Sequence, residues 1–408
     1  MTRRLAPLFA ACGTVALVAV AGGCGNGDKS AAPATSSQTS AASGKPIVIG
    51  TANSLTGALA PFETAINDGM AIATDEINAQ GGVKGRPIKL IHVDAKSDPN
   101  LSATAALDVI EKGADVVVPI CDADFGAPGA RAANEKGILA ITCAGGPGLG
   151  AQTIGPLTFN TAAGSPTEGA VSAEYAYKTK GWRKAYLLCD QLVEYSKVLC
   201  QAFKTRWREL GGEIVGEDTF LQSDASISTQ VTRLTNASAP DVVLLSSFPG
   251  GSPALKEIRA RYDGPILLAQ AYSGTFWLNA TPHLSNAWVP ASGSSYGDDP
   301  RPEMNAFFKR FKKKTGQAAL VDSYPILGYS LVQTIAEGVE KAGTTNGKRL
   351  AAAFDTFKDV PLLAGPTTYT PSCHVPVGRP MLIIQYRDGK PSSTGAVVRP
   401  QKVPRYPC

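Results

Sequence analysis

Two aspartates stand one residue apart at the end of an apolar run in VPICDADFGAPG, residues 118–129. A strand ending in Asp-x-Asp is how an aspartyl-nucleophile phosphatase begins, so Asp122 and Asp124 are a candidate catalytic pair. That chemistry needs Thr or Val where Gly126 stands, and Cys121, a disulfide candidate, directly precedes Asp122. GSSYG, residues 293–297, fits G-x-S-x-G, with Asp322 and His374 following Ser295 in the order of an α/β-hydrolase triad. A nucleophile elbow must run straight into a helix, and DDPRP at 298–302 prevents that. GPGLGA, residues 146–151, fits a loose dinucleotide fingerprint, but Pro147 lies inside it and PLTFN soon follows in place of a helix. No Walker A sequence occurs, so an ATPase, where one is needed, is a separate chain. With no C-x-x-C and only His92, His283 and His374, neither a metal nor any other cofactor is expected.

The chain that carries these residues is 408 long, which calls for two or three domains. Hydrophobic residues make up 44% and charged residues 18%, the balance of a soluble globular protein. The net charge of +5 is too weak a bias for nucleic acid binding. The densest basic stretch, FFKRFKKKTG at 307–316, reads as an amphipathic helix with Phe inward and Lys in water.

At the start, Arg3 and Arg4 precede an apolar run from Leu5 to Ala21, and Ala21, Gly22 and Gly23 precede Cys24. Residues 1–23 are therefore read as an export signal, too short for a membrane span. The small residues before Cys24 resemble the bacterial lipoprotein cleavage box, which would leave Cys24 lipidated; an ordinary export signal is the other reading. Residues 25–45 are Gly, Ser, Ala, Thr and Pro with few others and no aromatic, so 24–45 is a lipidated cysteine and flexible tether. Of the remaining cysteines, the expected disulfides are Cys121–Cys143, Cys189–Cys200 and Cys373–Cys408, since an even number in an exported chain argues for pairing.

From residue 46 short apolar runs alternate with amphipathic ones. Strands are expected at 46–52, 87–95, 114–120 and 137–144, and again at 184–190, 212–218, 241–247, 265–272 and 380–390. Ile66, Met70, Ala73 and Ile77 mark one face of a helix that ends at Gly81 and Gly82. Further helices are expected at 193–210, 226–236, 252–262, 302–315 and 323–342. Apolar strands separated by helices mean parallel sheets covered on both faces, with ligands at the carboxyl ends of the strands.

At those strand ends the chain resembles a known family. IVIGTANSLTGALAPF and DEINAQGGVKGRPIKLIHVDAKSDPN, within residues 46–100, combine S-L-T-G, G-G-V-x-G-R and D-x-K-S-D-P in order. This pattern closely resembles the extracytoplasmic solute-binding proteins of the branched-chain amino acid (leucine/isoleucine/valine) type, in lipoprotein form, which serve ABC importers. The resemblance implies an α/β fold of two doubly wound parallel-sheet lobes joined by three crossovers near Thr161, Ala291 and Gly365. It implies an N-terminal lobe of 46–161 plus 292–365 and a C-terminal lobe of 162–291 plus 366–408. It implies a monomer outside the cell membrane that binds a small molecule, partners an ABC permease and its ATPase subunits, and catalyses nothing. A sensor of the same fold for a signalling partner is the second reading, and a secreted hydrolase the third.

Carried over by position, the first lobe supplies Phe62, Asp122, Ala123, Ala144, Gly145 and Gly146, with Tyr324 from the later segment. The second lobe supplies Tyr195, Phe248, Gln270, Ala271 and Tyr272. Free N–H groups at Ala144–Gly146 and at the helix after Asp122 suit a carboxylate, and the aromatics suit an apolar body. Core packing is the competing reading of each aromatic. Two departures bear on the ligand. Members of this type carry a second-lobe carboxylate for the ligand's ammonium, where this chain has Gln270-Ala271-Tyr272. Asp122 stands where a hydroxyl is usual, as a mere helix cap or as a partner for an ammonium. The ligand is therefore an amino acid or an aromatic or other small organic compound.

Overall fold

The computed structural model describes residues 43–146, 149–317 and 323–404. The export signal, Cys24, residues 25–42 of the tether, Asp322 and Cys408 lie outside the described residues.

The first sheet has strands β1 (Ile47–Asn53), β2 (Ile88–Asp94), β3 (Val116–Pro119), β4 (Leu139–Thr142) and β5 (Thr158–Asn160). Their order is β2-β1-β3-β4-β5, and every pairing is parallel. Parallel neighbours need crossovers, which α1 (Ala60–Ala79), α2 (Pro99–Glu111) and α3 (Ala123–Glu135) provide. Both faces are covered, which is why β1, β3 and β4 are almost wholly apolar. Helices α2 and α3 pack on one face. On the other lie α1, α8 (Pro302–Thr315), α9 (Tyr324–Ala342) and α10 (Gly347–Phe354).

The second sheet joins β6 (Lys184–Asp190), β7 (Glu213–Phe220), β8 (Val242–Ser246), β9 (Ile266–Leu268), β10 (Ala287–Ala291), β13 (Met381–Arg387) and β14 (Lys390–Val398). Its order is β14-β13-β10-β9-β8-β6-β7. Around it pack α4 (Ser165–Glu174), α5 (Glu194–Glu209), α6 (Ser228–Asn236) and α7 (Ser252–Arg259). Its edge departs from the parallel expectation: β13 runs antiparallel to both β10 and β14. PMLIIQYRDGK is one strand and the turn of a hairpin, because Asp388 and Gly389 take φ of 47° and 69°, the left-handed values that a tight Asp-Gly connection uses. A short hairpin, β11 (Val360–Leu362) with β12 (Gly365–Thr367), precedes the last passage between sheets.

Among the described residues the chain passes between the sheets after β5, after β10 and between β12 and β13, making two α/β lobes joined by three crossovers. The last passage runs beside β5, where Asn160 N donates to the His374 carbonyl at 2.9 Å. In α8, Met304, Phe307, Phe308 and Phe311 face inward and Lys312, Lys313 and Lys314 face water. Cys121–Cys143 and Cys189–Cys200 are bonded, with Cα separations of 4.9 and 5.9 Å. Cys373 is disulfide-bonded too, and its expected partner Cys408 lies outside the described residues.

One contact fixes the first lobe. Helix α9 returns from beyond the second sheet and crosses α1 backbone to backbone. A β-carbon at Gly69 would stand 2.1 Å from the Pro325 carbonyl oxygen, and one at Gly328 would stand 2.0 Å from that of Ile66. Any side chain there must push the helices apart. Gly328→Ala should lower stability by about 1–3 kcal/mol through overpacking, read as a lower urea midpoint with an unchanged slope.

Candidate functional site

The carboxyl ends of β1, β3 and β4 present the first-lobe residues. Phe62 and Glu63 open α1, Cys121 to Ala123 join β3 to α3, and Cys143 to Gly146 follow β4. The Cys121–Cys143 disulfide ties the last two segments together. Asp122 has extended backbone, and its Oδ1 accepts from Asp124 N at 2.9 Å and Phe125 N at 3.2 Å. Its carboxylate thus takes up donors in the first turn of α3 that a ligand anion would need.

The second lobe brings Tyr195 in the first turn of α5, Phe248 just past β8, and Gln270, Ala271 and Tyr272 just past β9. Four of the five expected aromatics meet. Phe62 lies against Phe248 (ring centroids 5.8 Å apart) and Tyr324 (5.4 Å). Tyr195 lies against Phe248 at 4.9 Å. Phe248 packs on the cores of both lobes. Phe276 completes the group at 5.5 Å from Phe62 and was not anticipated. The signal was its place in the same post-β9 segment as Gln270. Tyr272 is turned into the second-lobe core against Trp277, and its hydroxyl donates to the Phe248 carbonyl, fixing that backbone.

The lobes are closed on one another. The ring of Tyr195 covers Gly145, where a β-carbon would come within 2.5 Å of it, and Ala123 crowds Gly146. Asp124 Oδ2 accepts from Glu194 N at 2.9 Å across the cleft. Helix α5 has no cap from its own segment, so the opposite lobe supplies one. Ser323, beside Tyr324, donates its N–H to Ser273 Oγ at 3.2 Å. Gln270 Nε2 donates to Ser292 Oγ (3.0 Å) and Ser323 Oγ (3.2 Å), so its amide serves closure.

Two buried carboxyls at the cleft were not singled out from the sequence. Glu63 accepts from Cys121 N at 2.7 Å and is hydrogen-bonded through its side chain to Asn53. Burial pushes its carboxyl up to about 8, opposed by the Cys121 N–H and Asn53 and reinforced by Asp122. Glu168, in α4, accepts from the Tyr195 hydroxyl at 2.5 Å and Gln270 N at 3.1 Å. Burial raises it to about 7, against both of those donors. Burial, then the Asp124 charge, raises Asp122 to about 6. Glu63 was legible in principle: it lies three and seven residues before Ile66 and Met70, so it shares their apolar face. Glu168 had no such mark, since α4 is buried all round.

The histidine of the hydrolase pattern is engaged by Thr158 and Asp355. His374 is buried, stacked 3.7 Å over the Phe159 ring in the first-lobe core, with Nδ1 2.9 Å from the Thr158 carbonyl. A cavity of about 570 Å³ lined by Lys256, Arg259, Asp263 and His283 lies where the chain enters β9 and β10, at the opposite strand ends from the aromatic group.

Residues 46–391 match the family model described as periplasmic binding protein. A Leu/Ile/Val-binding protein homologue of Brucella melitensis is 26% identical over 330 residues, 79% of this chain and 87% of that protein. An amino acid binding protein of Pseudomonas aeruginosa is 24% identical over 310 residues, 75% of this chain and 81% of its own length. The branched-chain amino acid transporter substrate-binding protein LivJ of Streptococcus pneumoniae, solved with isoleucine, superposes with a TM-score of 0.75 at 22% identity, covering 87% of this chain and 100% of its own. An ABC transporter solute-binding protein of Rhodopseudomonas palustris, solved with benzoate, gives 0.71 at 21% identity, covering 87% and 98%. The chain belongs to the periplasmic binding protein family.

Proposed function

We propose that this chain captures a small organic ligand between its two lobes and delivers it to an ABC importer. One observation carries the reading: rings from both lobes converge at the carboxyl ends of both sheets, as Phe62, packed on Tyr324, meets Phe248 and Phe276, and Tyr195 packs on Phe248. Rings contributed from two sides make a clamp for an apolar body, where a purely structural cluster would sit within one core. Family membership, and relatives named for binding amino acids or solved with isoleucine and benzoate, support the delivery role and a ligand of that size. The lobes are 46–161 plus 292–365 and 162–291 plus 366–408. The partners are a permease and its ATPase subunits, and the protein works as a monomer outside the cell membrane, held by lipid on Cys24.

A thermal-shift screen of amino acids, aromatic acids, amines and neutral organics tests the reading, because a ligand of the native state raises the melting temperature. A hit that depends on the cleft residues supports it, and silence across all four classes counts against it. Phe248→Ala and Tyr195→Ala should each weaken binding of the hit about tenfold or more. Unchanged affinity in both removes the aromatics from the site. Asp124→Ala deletes the cross-cleft cap, and scattering should then show a larger radius of gyration without ligand. Glu63 and Glu168 keep their protons in the folded protein at pH values where an unfolded chain has lost them. Folding therefore takes up protons, and stability falls as pH rises from 4.5 to about 8. Glu63→Gln cannot ionise, so its urea midpoints at pH 5 and pH 8 should lie closer together than those of the parent.

A further inference from the structure

Away from the cleft, a buried cation ties the two lobes together. Arg379 is 4% exposed and stands two residues before β13. Its backbone belongs to the second lobe: the adjacent Gly378 N donates to Thr167 Oγ1 in α4 at 3.2 Å. Its side chain reaches the other way. Nη1 donates to the Thr161 carbonyl at 2.5 Å, Nη2 to Thr367 Oγ1 at 2.5 Å and Nε to the Pro366 carbonyl at 3.4 Å. Those acceptors are held by the first lobe. Thr161 N and Oγ1 both donate to the Thr142 carbonyl at the end of β4. Pro366 and Thr367 lie in β12 just after Ala364, whose N–H donates to Ser330 Oγ in α9. One guanidinium thus joins the start of the first crossover to both ends of the last. The bare backbone of Gly365 leaves room for its stem: a β-carbon there would stand 3.2 Å from Arg379 Cγ and Cδ. Burial pulls the guanidinium down to about 10, still charged at neutral pH, and its three acceptors are neutral oxygens. A buried charge that meets no carboxylate is costly, and a side chain that only filled this space would be cheaper as Met. What Arg offers is a planar fork that holds acceptors from separate segments at once.

We infer that Arg379 is a positioning residue for closure: it pins the first crossover to the last, so that the lobes turn about the two as one hinge and their faces meet in register. This rests on the capture reading, which needs lobes that part and close, and adds what guides them. The cross-cleft bonds depend on that guidance. Asp124 with Glu194 and Ser323 with Ser273 are pairs drawn from opposite lobes. A hinge whose crossovers slide past one another brings them together less often.

The experiment is small-angle scattering of the purified ligand-free protein, joined to hydrogen exchange at the Glu194 amide, whose hydrogen bond crosses the cleft. Arg379→Met keeps an unbranched stem and removes the fork. At unchanged far-ultraviolet circular dichroism it should enlarge the radius of gyration and speed exchange at Glu194 about tenfold or more. Arg379→Lys keeps the charge without the fork, so it should fall between Met and the parent in both readouts. Thr367→Val removes a single acceptor with little change of shape, and should shift both readouts the same way in smaller measure. If Arg379→Met does not fold, Thr367→Val carries the test, and parent values in both readouts then overturn the inference. For Arg379→Met itself, a lower urea midpoint with radius and exchange at parent values makes Arg379 a packing residue, and the inference falls. Neither readout uses a ligand, so the inference can fail with the capture role intact, and the four-class screen tests that role separately.

Discussion

The crossing of α1 and α9 is the contact on which the site's geometry depends. Helix α9 is separated from α1 in sequence by the whole second sheet apart from its terminal hairpin. It must find its partner after a long excursion, so its docking has to be specific. Paired glycines give that specificity by letting backbone touch backbone, which one register of the two helices allows. The consequence is local. Phe62 near the start of α1 and Tyr324 at the start of α9 come together at one end of the crossing, 5.4 Å apart. That end is where the first sheet's strands finish, so the packing of the lobe and the placing of its two rings are one event.

Closure then follows from groups that are incomplete by themselves. Phe248 leaves part of its ring outside the second core and covers it on the first. Ser323 and Ser273 meet from opposite sides, and Gln270 reaches Ser323. Around these lie carboxyls that burial holds protonated to higher pH than usual. Such acids are costly to ionise in a closed, dry cleft and cheap to ionise in an open, wet one, so their charge state is tied to the position of the lobes.

Much of this was legible in the sequence, and the exceptions have physical causes. The β6 run, KAYLLCD, and the α8 pattern were plain because periodicity and end signals agreed. Strand β10 was not, because Pro290 sits inside it, and β5 was not, because three residues carry no period. The hairpin of β13 and β14 was merged although Asp-Gly marked its turn; the polar run of β14 hides a strand at the sheet edge. In the site, residues directly following strands were easy to nominate, as Tyr195, Phe248 and Asp122 show. What Asp124 does was hidden, because its partner lies 70 residues away on the other lobe. Tyr272 illustrates the converse: its place in the chain is right for a ligand contact, but the space beside Trp277 took its ring.

That long-range partner has a dynamic meaning. Helix α5 begins without a side-chain cap of its own and receives one when α3 arrives from across the cleft. With the lobes apart, Glu194 N has only water to bond, and the first turn of α5 is free to fray. Tyr195 lies in that turn. A ring that lines the closed cleft is therefore held by a helix end that closure itself finishes building, and part of the ordering entropy of capture belongs to the protein's own backbone.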